Sequence, residues 1–197
     1  GTDAQLTLHP GLVLKFDRYK ELSVAGDLVA LGTPGSPIVL TAELDDSAGG
    51  DTNGDGAGSE PSPGYWSCIN ILDSGSARLL HCRQRYGGYW HGTGIAAREG
   101  SRLSMENCEL RNNFGSGLLL DKASPELTIT RCRFLDNDHG VQVHDVPRTV
   151  VLDACSFVGN EEYGVRNTGS EAADARGGWW GTASGPYHAE SNPEGTG

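Results

Sequence analysis

Leu127-Thr128-Ile129-Thr130-Arg131-Cys132-Arg133-Phe134-Leu135-Asp136-Asn137-Asp138-His139-Gly140-Val141 is the stretch whose reading decides the fold. Its apolar residues fall at alternate positions, Leu127 and Ile129, then Cys132 and Phe134, and the alternation resumes after a turn at Val141 and Val143. A period of two over such short runs reads as strands, not as helix. No part of the chain carries a sustained 3.6-residue period with caps, so helices are expected to be nearly absent.

The stretch recurs. Cys82, Cys108, Cys132 and Cys155 are separated by 26, 24 and 23 residues, and their surroundings travel with them. Three residues before each lies Leu79, Met105, Ile129 or Leu152; two after lies Gln84, Leu110, Phe134 or Phe157; five after lies Gly87, Asn113, Asn137 or Asn160. A second short strand opens at Gly94, Gly117, Gly140 and Gly164. The first unit is the irregular one. A unit of this length, cut into short strands and turns, cannot bury its own inner face and does so only by stacking on a like neighbour. The prediction is an all-β coil of parallel strands, with turns about 4.8 Å apart and like residues above like.

The repeated residues have physical reasons. An asparagine at a sharp corner can donate its amide to carbonyls that the bend removes from the strand ladder, or to the asparagine one turn away, which suits Asn113, Asn137 and Asn160. Cysteine in such a core behaves as a small buried apolar residue, the role expected of Cys82, Cys108, Cys132 and Cys155. A disulfide or metal role is the less favoured reading, because stacked side chains run side by side and no CxxC motif is present. Cys68 falls where later units have glycine and is read as another small packed residue.

Composition narrows the partners. Among 197 residues, 15 Lys plus Arg oppose 26 Asp plus Glu, a net charge of −11 that argues against binding a phosphate backbone. No apolar run approaches the ~20 residues of a membrane-spanning helix, so membrane insertion is not expected. Glycine, at 29 residues, is roughly twice as frequent as usual, which implies many tight turns. The N-terminus lacks the basic-then-apolar pattern of a signal peptide, so an export signal is expected to have been removed or to belong to a longer precursor.

With these residues in view, the chain resembles the right-handed parallel β-helix family, in particular bacterial repeat proteins with turns of the form L-x-I-x-x-C-x-F-x-x-N-x-x-x-G-[IV]. Pro10 to Phe16, Leu22 to Thr33 and Pro37 to Thr41 look like the opening coils of such domains. Gly178-Trp179-Trp180-Gly181-Thr182-Ala183-Ser184-Gly185-Pro186-Tyr187-His188 is similar to a segment that closes them, with Gly178 where that segment usually has Asn. The resemblance implies roughly six to seven coils in one domain: opening coils over 1–44, an acidic insertion over 45–64, ladder coils over 65–170, and a closing coil and loop over 171–197. It also implies two classes of role, passive surface or adhesive domains and carbohydrate-active enzymes, between which fold does not choose.

The insertion carries the chain's main metal motif. Asp51, Asn53 and Asp55 followed by Gly56 match the start of a calcium loop, in which alternate oxygens converge and glycine permits the bend. The Ala57 carbonyl and Ser59 come next, but Ser62 stands where the bidentate acid belongs. Similar loops in the proteins that this chain resembles let Asp45 or Asp46 supply that carboxylate from the other arm. The expected cofactor is a structural Ca²⁺; the plainer reading is a solvated acidic insertion.

Catalytic signals are thin. The resemblance to polygalacturonase-like enzymes leads one to look for an Asp beside an Asp-Asp pair with Gly-His-Gly and Arg-Ile-Lys segments, and Asp136-Asn137-Asp138-His139-Gly140 is only a local echo. A β-helix polysaccharide lyase would pair Ca²⁺ with an arginine base. Arg83, Arg111, Arg131 and Arg133 form a strip for that, interrupted by Glu106, Glu109 and Asp153. Tyr86, Tyr89, Trp90 and His91, in a longer turn beside the first cysteine unit, are the candidate ligand or partner contact. Trp179 and Trp180 are expected to cover the last coil. The function expected is a non-catalytic extracellular or cell-surface module of adhesin type, binding a polysaccharide or another surface partner and associating end to end or with neighbouring domains. The alternative is a polysaccharide lyase or glycoside hydrolase.

Overall fold

A computed structural model describes residues 4–124, 126–187 and 190–195. His188, at the end of the closing segment quoted above, lies outside the described residues. The first coil consists of β1 (Gln5–Leu8), β2 (Val13–Phe16) and β3 (Leu22–Val24). The second has β4 (Asp27–Leu31), β5 (Ile38–Ala42) and β6 (Ile69–Ile71). The third has β7 (Ser76–Leu80), β8 (Cys82–Arg85) and β9 (Thr93–Ala97). The fourth has β10 (Arg102–Glu106), β11 (Glu109–Arg111) and β12 (Ser116–Asp121). Then come β13 (Leu127–Thr130), β14 (Arg133–Leu135) and β15 (His139–His144), followed by β16 (Val150–Asp153), β17 (Ser156–Val158) and β18 (Tyr163–Asn167). β19 (Ala173–Asp174) begins a seventh coil.

Each inner strand pairs in parallel with the strands three before and three after it, and each end strand with one of these, so three sheets wrap one core. Sheet one runs β1-β4-β7-β10-β13-β16-β19, sheet two β2 to β17, and sheet three β3 to β18. Among the described residues there is no helix. The register is the one the repeat predicts. Met105 pairs with Leu79 and Ile129, and Ile129 with Leu152. Leu110 pairs with Phe134, and Phe134 with Phe157. Leu118 pairs with Ile95 and Val141, and Val141 with Val165. The buried column therefore contains residues such as Leu79, Met105, Leu110, Ile129 and Phe134, and truncating a fully buried Phe of this kind costs about 3–5 kcal/mol.

The corners are sharp because one residue at each takes a left-handed backbone. Between sheets one and two these are His81, Asn107, Arg131 and Ala154, each immediately before a column cysteine; between sheets two and three they include Asn112 and Asp136, each before a ladder asparagine. Their amides are not lost. Asn107 N–H donates to the Thr130 carbonyl at 3.1 Å and Asn112 N–H to that of Leu135 at 3.2 Å, so the inter-coil ladder passes through the bend.

The asparagines do what the corner requires. Asn113 Nδ2 donates to Asn137 Oδ1 at 3.0 Å, and Asn137 Nδ2 to Asn160 Oδ1 at 3.1 Å. Each Oδ1 also takes the preceding ladder residue's backbone amide, from Asn113 at 3.1 Å and from Asn137 at 3.2 Å. Where the third coil has Gly87 in place of Asn, Gln84 fills in: its Nε2 donates to Asn113 Oδ1 at 2.7 Å. The glycine that opens sheet three in each unit leaves room for this column. A Cβ on Gly94 would lie 2.2 Å from Gln84 Oε1.

All five cysteines are buried free thiols. Cys82 and Cys108 donate to carbonyls of the preceding coil, Ala30 and Leu79, at 3.4 Å each. The neighbouring thiol of Cys108 and burial push Cys82 above the ordinary thiol value, and the thiols of Cys108 and Cys155 do the same to Cys132. The same thiol contacts push Cys108 and Cys155 the other way, so the four groups of the column alternate in their hold on the proton.

One expectation about aromatic residues is corrected. Trp180 does close the last coil, stacking on Phe157 at 4.6 Å, but Trp179 is exposed: its backbone pairs with Ser156 as a rung of sheet two, which turns its side chain outward. Trp66 is core, fully buried against Phe16 at 4.1 Å, with its indole N–H on the Arg85 carbonyl.

Candidate functional site

The acidic insertion leaves at the end of β5 and returns at β6, on the corner between sheets two and three. Lys15 on β2 ties it down by donating to the Gly50 carbonyl at 2.6 Å. Asp45 is its buried anchor. Its Oδ2 accepts from Thr41 Oγ1 at 2.6 Å and pairs with Arg85 Nη1 at 3.1 Å, while its Oδ1 accepts from Ser47. Asp45 is therefore withdrawn from the expected ligand set: both its oxygens already have partners, on β5, on β8 and within the insertion.

Asp46 takes its place. Carboxylate oxygens of Asp46, Asp51 and Asp55 lie within 4.8 Å of one another, and Asp46 Oδ1 is buried without a hydrogen-bond partner. The motif's glycines act through their amides, with Gly54 N–H on Asp51 Oδ1 at 2.7 Å and Gly56 N–H on Oδ2 at 2.8 Å. These bonds, Gly56 first, hold the Asp51 carboxyl below its ordinary value. Asn53 Nδ2 donates to Asp55 Oδ2 at 3.0 Å and to Ser59 at 3.1 Å, so Asn53 and Ser59 brace Asp55. Ala57 and Ser59 line a cleft of about 370 Å³ between the insertion and Tyr86. A hard cation with oxygen ligands at 2.3–2.6 Å suits three carboxylates at this mutual spacing, one of them carrying an orphaned oxygen.

The residues from Tyr86 to His91 do not stay together. Tyr86, in a left-handed corner conformation, points its half-buried ring to the acidic insertion. Tyr89 and Trp90 go the other way and meet Tyr19 of the first coil. Tyr19 and Tyr89 have ring centroids 4.2 Å apart, Tyr89 and Trp90 meet edge to face at 4.7 Å, and Trp90 is 68% exposed. Arg18 lies 5.5 Å from the Tyr19 and Tyr65 ring centroids. Exposed Phe114 extends the same corner on the fourth coil, packing beside Gly64. His91 turns inward, with Nε2 3.0 Å from Glu21 Oε2 and Nδ1 accepting from Arg98 at 3.3 Å. Tyr19 and Phe114 escaped the sequence reading, although a count of corner positions from the repeat would have put them there.

The arginine strip is mostly neutralised across coils. Arg131 pairs with Glu106, Arg133 with Glu109 at 3.0 Å and Arg111 with Asp136 at 3.1 Å. Arg83, Arg131 and Arg133 do line one cleft of about 280 Å³ with Glu109 and His81, but it opens on the corner between sheets one and two. The acidic insertion is on the other corner. Asp138, of the catalytic echo, accepts from Gly115 N–H at 2.8 Å and serves the turn.

A family model for the right handed beta helix region matches residues 67–178. The chain belongs to the right-handed β-helix family. Neither the curated proteins nor the solved structures gave a match. Among the described residues of this β-helix, no helix is long and apolar enough to cross a membrane.

Proposed function

We propose that this β-helix is a non-catalytic extracellular or cell-surface binding module that holds a structural Ca²⁺ in its acidic insertion and takes a polysaccharide on its aromatic corner. The observation that carries the reading is the exposed cluster of Tyr19, Tyr89 and Trp90, drawn from two coils and fixed on a stack of parallel strands. Flat exposed rings are expensive to leave in water and suit the apolar face of a sugar. A net charge of −11 favours a neutral glycan over an acidic one.

The lyase alternative needs calcium and an arginine base at one place. Here the acids and the arginine cleft sit on different corners, and two of the three cleft arginines are already paired. The test is affinity electrophoresis or calorimetry against neutral and acidic polysaccharides. Binding of a neutral glycan that Trp90→Ala abolishes, with an unchanged melting temperature, supports the reading. Unsaturated or reducing ends released from any glycan would replace it.

For the cation, Asp46, Asp51 and Asp55 would supply the charge, and the ion would neutralise their repulsion and join the two arms of the insertion. Ca²⁺ is expected to raise the melting temperature and chelator to lower it. Equal midpoints in both conditions would remove the ion from the account.

A further inference from the structure

Cys68 stands apart from the cysteine column. It directly precedes Ile69, which pairs with Leu22, and Leu22 N–H donates to the Cys68 carbonyl at 3.0 Å, so Glu21 and Cys68 are neighbours on adjacent coils. His91 descends from the turn of the third coil. One ligand atom from each of Glu21, Cys68 and His91 falls within a mutual 4.8 Å. Glu21 and His91 reach solvent while the thiol is buried, so a small ion has a way in and the sulfur is shielded.

We propose that Glu21, Cys68 and His91 form a zinc-binding site that joins the first, second and third coils beneath the aromatic corner. The donor set of one sulfur, one imidazole nitrogen and one carboxylate oxygen is what zinc takes. Bond lengths of about 2.3 Å to sulfur and 2.0–2.2 Å to nitrogen and oxygen put ligand atoms roughly 3.3–3.7 Å apart in a tetrahedron. The His91 Nε2 to Glu21 Oε2 separation of 3.0 Å needs slight opening, and the sulfur needs about an ångström of approach at most. A water completes the fourth position on the exposed side.

The protons balance. In the metal-free protein Arg98 donates to His91 Nδ1, so Nε2 carries the ring proton and donates to Glu21. Zinc replaces that proton at Nε2, the ring proton moves to Nδ1, and Arg98 turns to its other acceptors, Asn70 Oδ1 at 3.3 Å and Asp121 Oδ2 at 3.4 Å. Burial pushes the Cys68 thiol up to about 12, so the ion itself must displace the thiol proton to solvent, one per ion bound. Glu21 is ready as an anion, since the Ser23 hydroxyl holds its carboxyl below the ordinary value.

The experiment is a Co²⁺ titration of stripped protein with Ca²⁺ in excess, so that the acidic insertion does not compete. One equivalent is expected to give a thiolate-to-cobalt charge-transfer band in the near ultraviolet and tetrahedral-strength visible bands, both removed by Zn²⁺. Cys68→Ser should lose the charge-transfer band. His91→Gln and the exposed Glu21→Gln should each weaken binding by at least the ~10–100-fold that loss of an outer-shell partner costs, both with native circular dichroism. Trp90→Ala should leave the titration unchanged. A missing thiolate band, its survival in Cys68→Ser, or unaltered affinity in both Glu21→Gln and His91→Gln would overturn the site.

Discussion

The corner between sheets two and three is built in two ways. In the fourth to sixth coils it is a tight bend closed by Asn113, Asn137 and Asn160; in the second it opens into the acidic insertion, braced by Asp45, Asp51 and Asn53. Both must satisfy the backbone groups that a bend takes out of the strand ladder. The amide solution stacks, because Asn both donates and accepts and carries no charge, so each copy serves the next. A carboxylate only accepts. Acids repel, so the insertion gives Asp45 to Arg85 and Asp51 to glycine amides, and gathers Asp46, with one oxygen lacking a partner, beside Asp51 and Asp55 where a cation would offset the repulsion.

The largest effect that would break this contrast is in the ladder. Asn137→Ala strands the Asn113 amides and the Leu110 carbonyl and takes one of two donors from the Asn160 oxygen, and a loss of about 4 kcal/mol is expected by urea denaturation. Asn160→Ala, at the partly buried end, should cost about 1 kcal/mol. Similar losses at both sites would mean that the column is not a cooperative unit.

Next comes the buried anchor of the insertion. Asp45→Ala leaves the Arg85 guanidinium without its partner and should cost about 3 kcal/mol. A thermal shift under 1 °C would show that the insertion is merely draped on the coils. Calcium at a hundred times its dissociation constant should add about 2.7 kcal/mol to wild type. Asp46→Asn should remove most of that gain while leaving the chelated protein almost unchanged.

The cysteine column sharpens the comparison from the side of pH. Cys82 and Cys132 are pushed above the ordinary thiol value of 9.0 and Cys108 and Cys155 below it, so the fold favours the neutral forms of the first two alone. The resulting stability is fully present below pH 9 and is lost as the pH rises through the folded values. Cys108 and Cys155 contribute with the opposite sign, so the denaturation midpoint should change little from pH 7 to 9, with iodoacetamide labelling of native protein at pH 8 no faster than global unfolding. Rapid labelling of the column at pH 8 would contradict its closed state. Smallest is Trp90→Ala, which should change stability by no more than about 0.5 kcal/mol whatever it does to ligand binding.

The repeat was readable because each rung depends on its own unit and the next. The columns of cysteine and asparagine could be drawn from spacing alone, since identical residues at a near-constant interval leave a solenoid one register. Gln84 was missed as the first rung because it stands three residues ahead of the glycine that aligns with Asn113, and only its reach reveals the substitution. Asp45 was read as a metal ligand because its partner Arg85 is forty residues away and belongs to another coil. The aromatic cluster was half legible: Tyr89 and Trp90 were visible as an odd turn, but Tyr19 joins them only because the second coil detours and lets the first and third coils touch. Glu21, Cys68 and His91 share no motif, since each comes from a different coil.

The second coil has a further consequence. β5 is in register with β2 and β8, and β6 with β3 and β9, although residues 43–68 intervene between them. A long passenger thus enters and leaves the stack without disturbing its neighbours, which makes this seam a natural graft point. Foreign peptides inserted there would be displayed beside the tyrosines and tryptophan, and the length of the detour becomes a variable that evolution, or an engineer, can change independently of the scaffold.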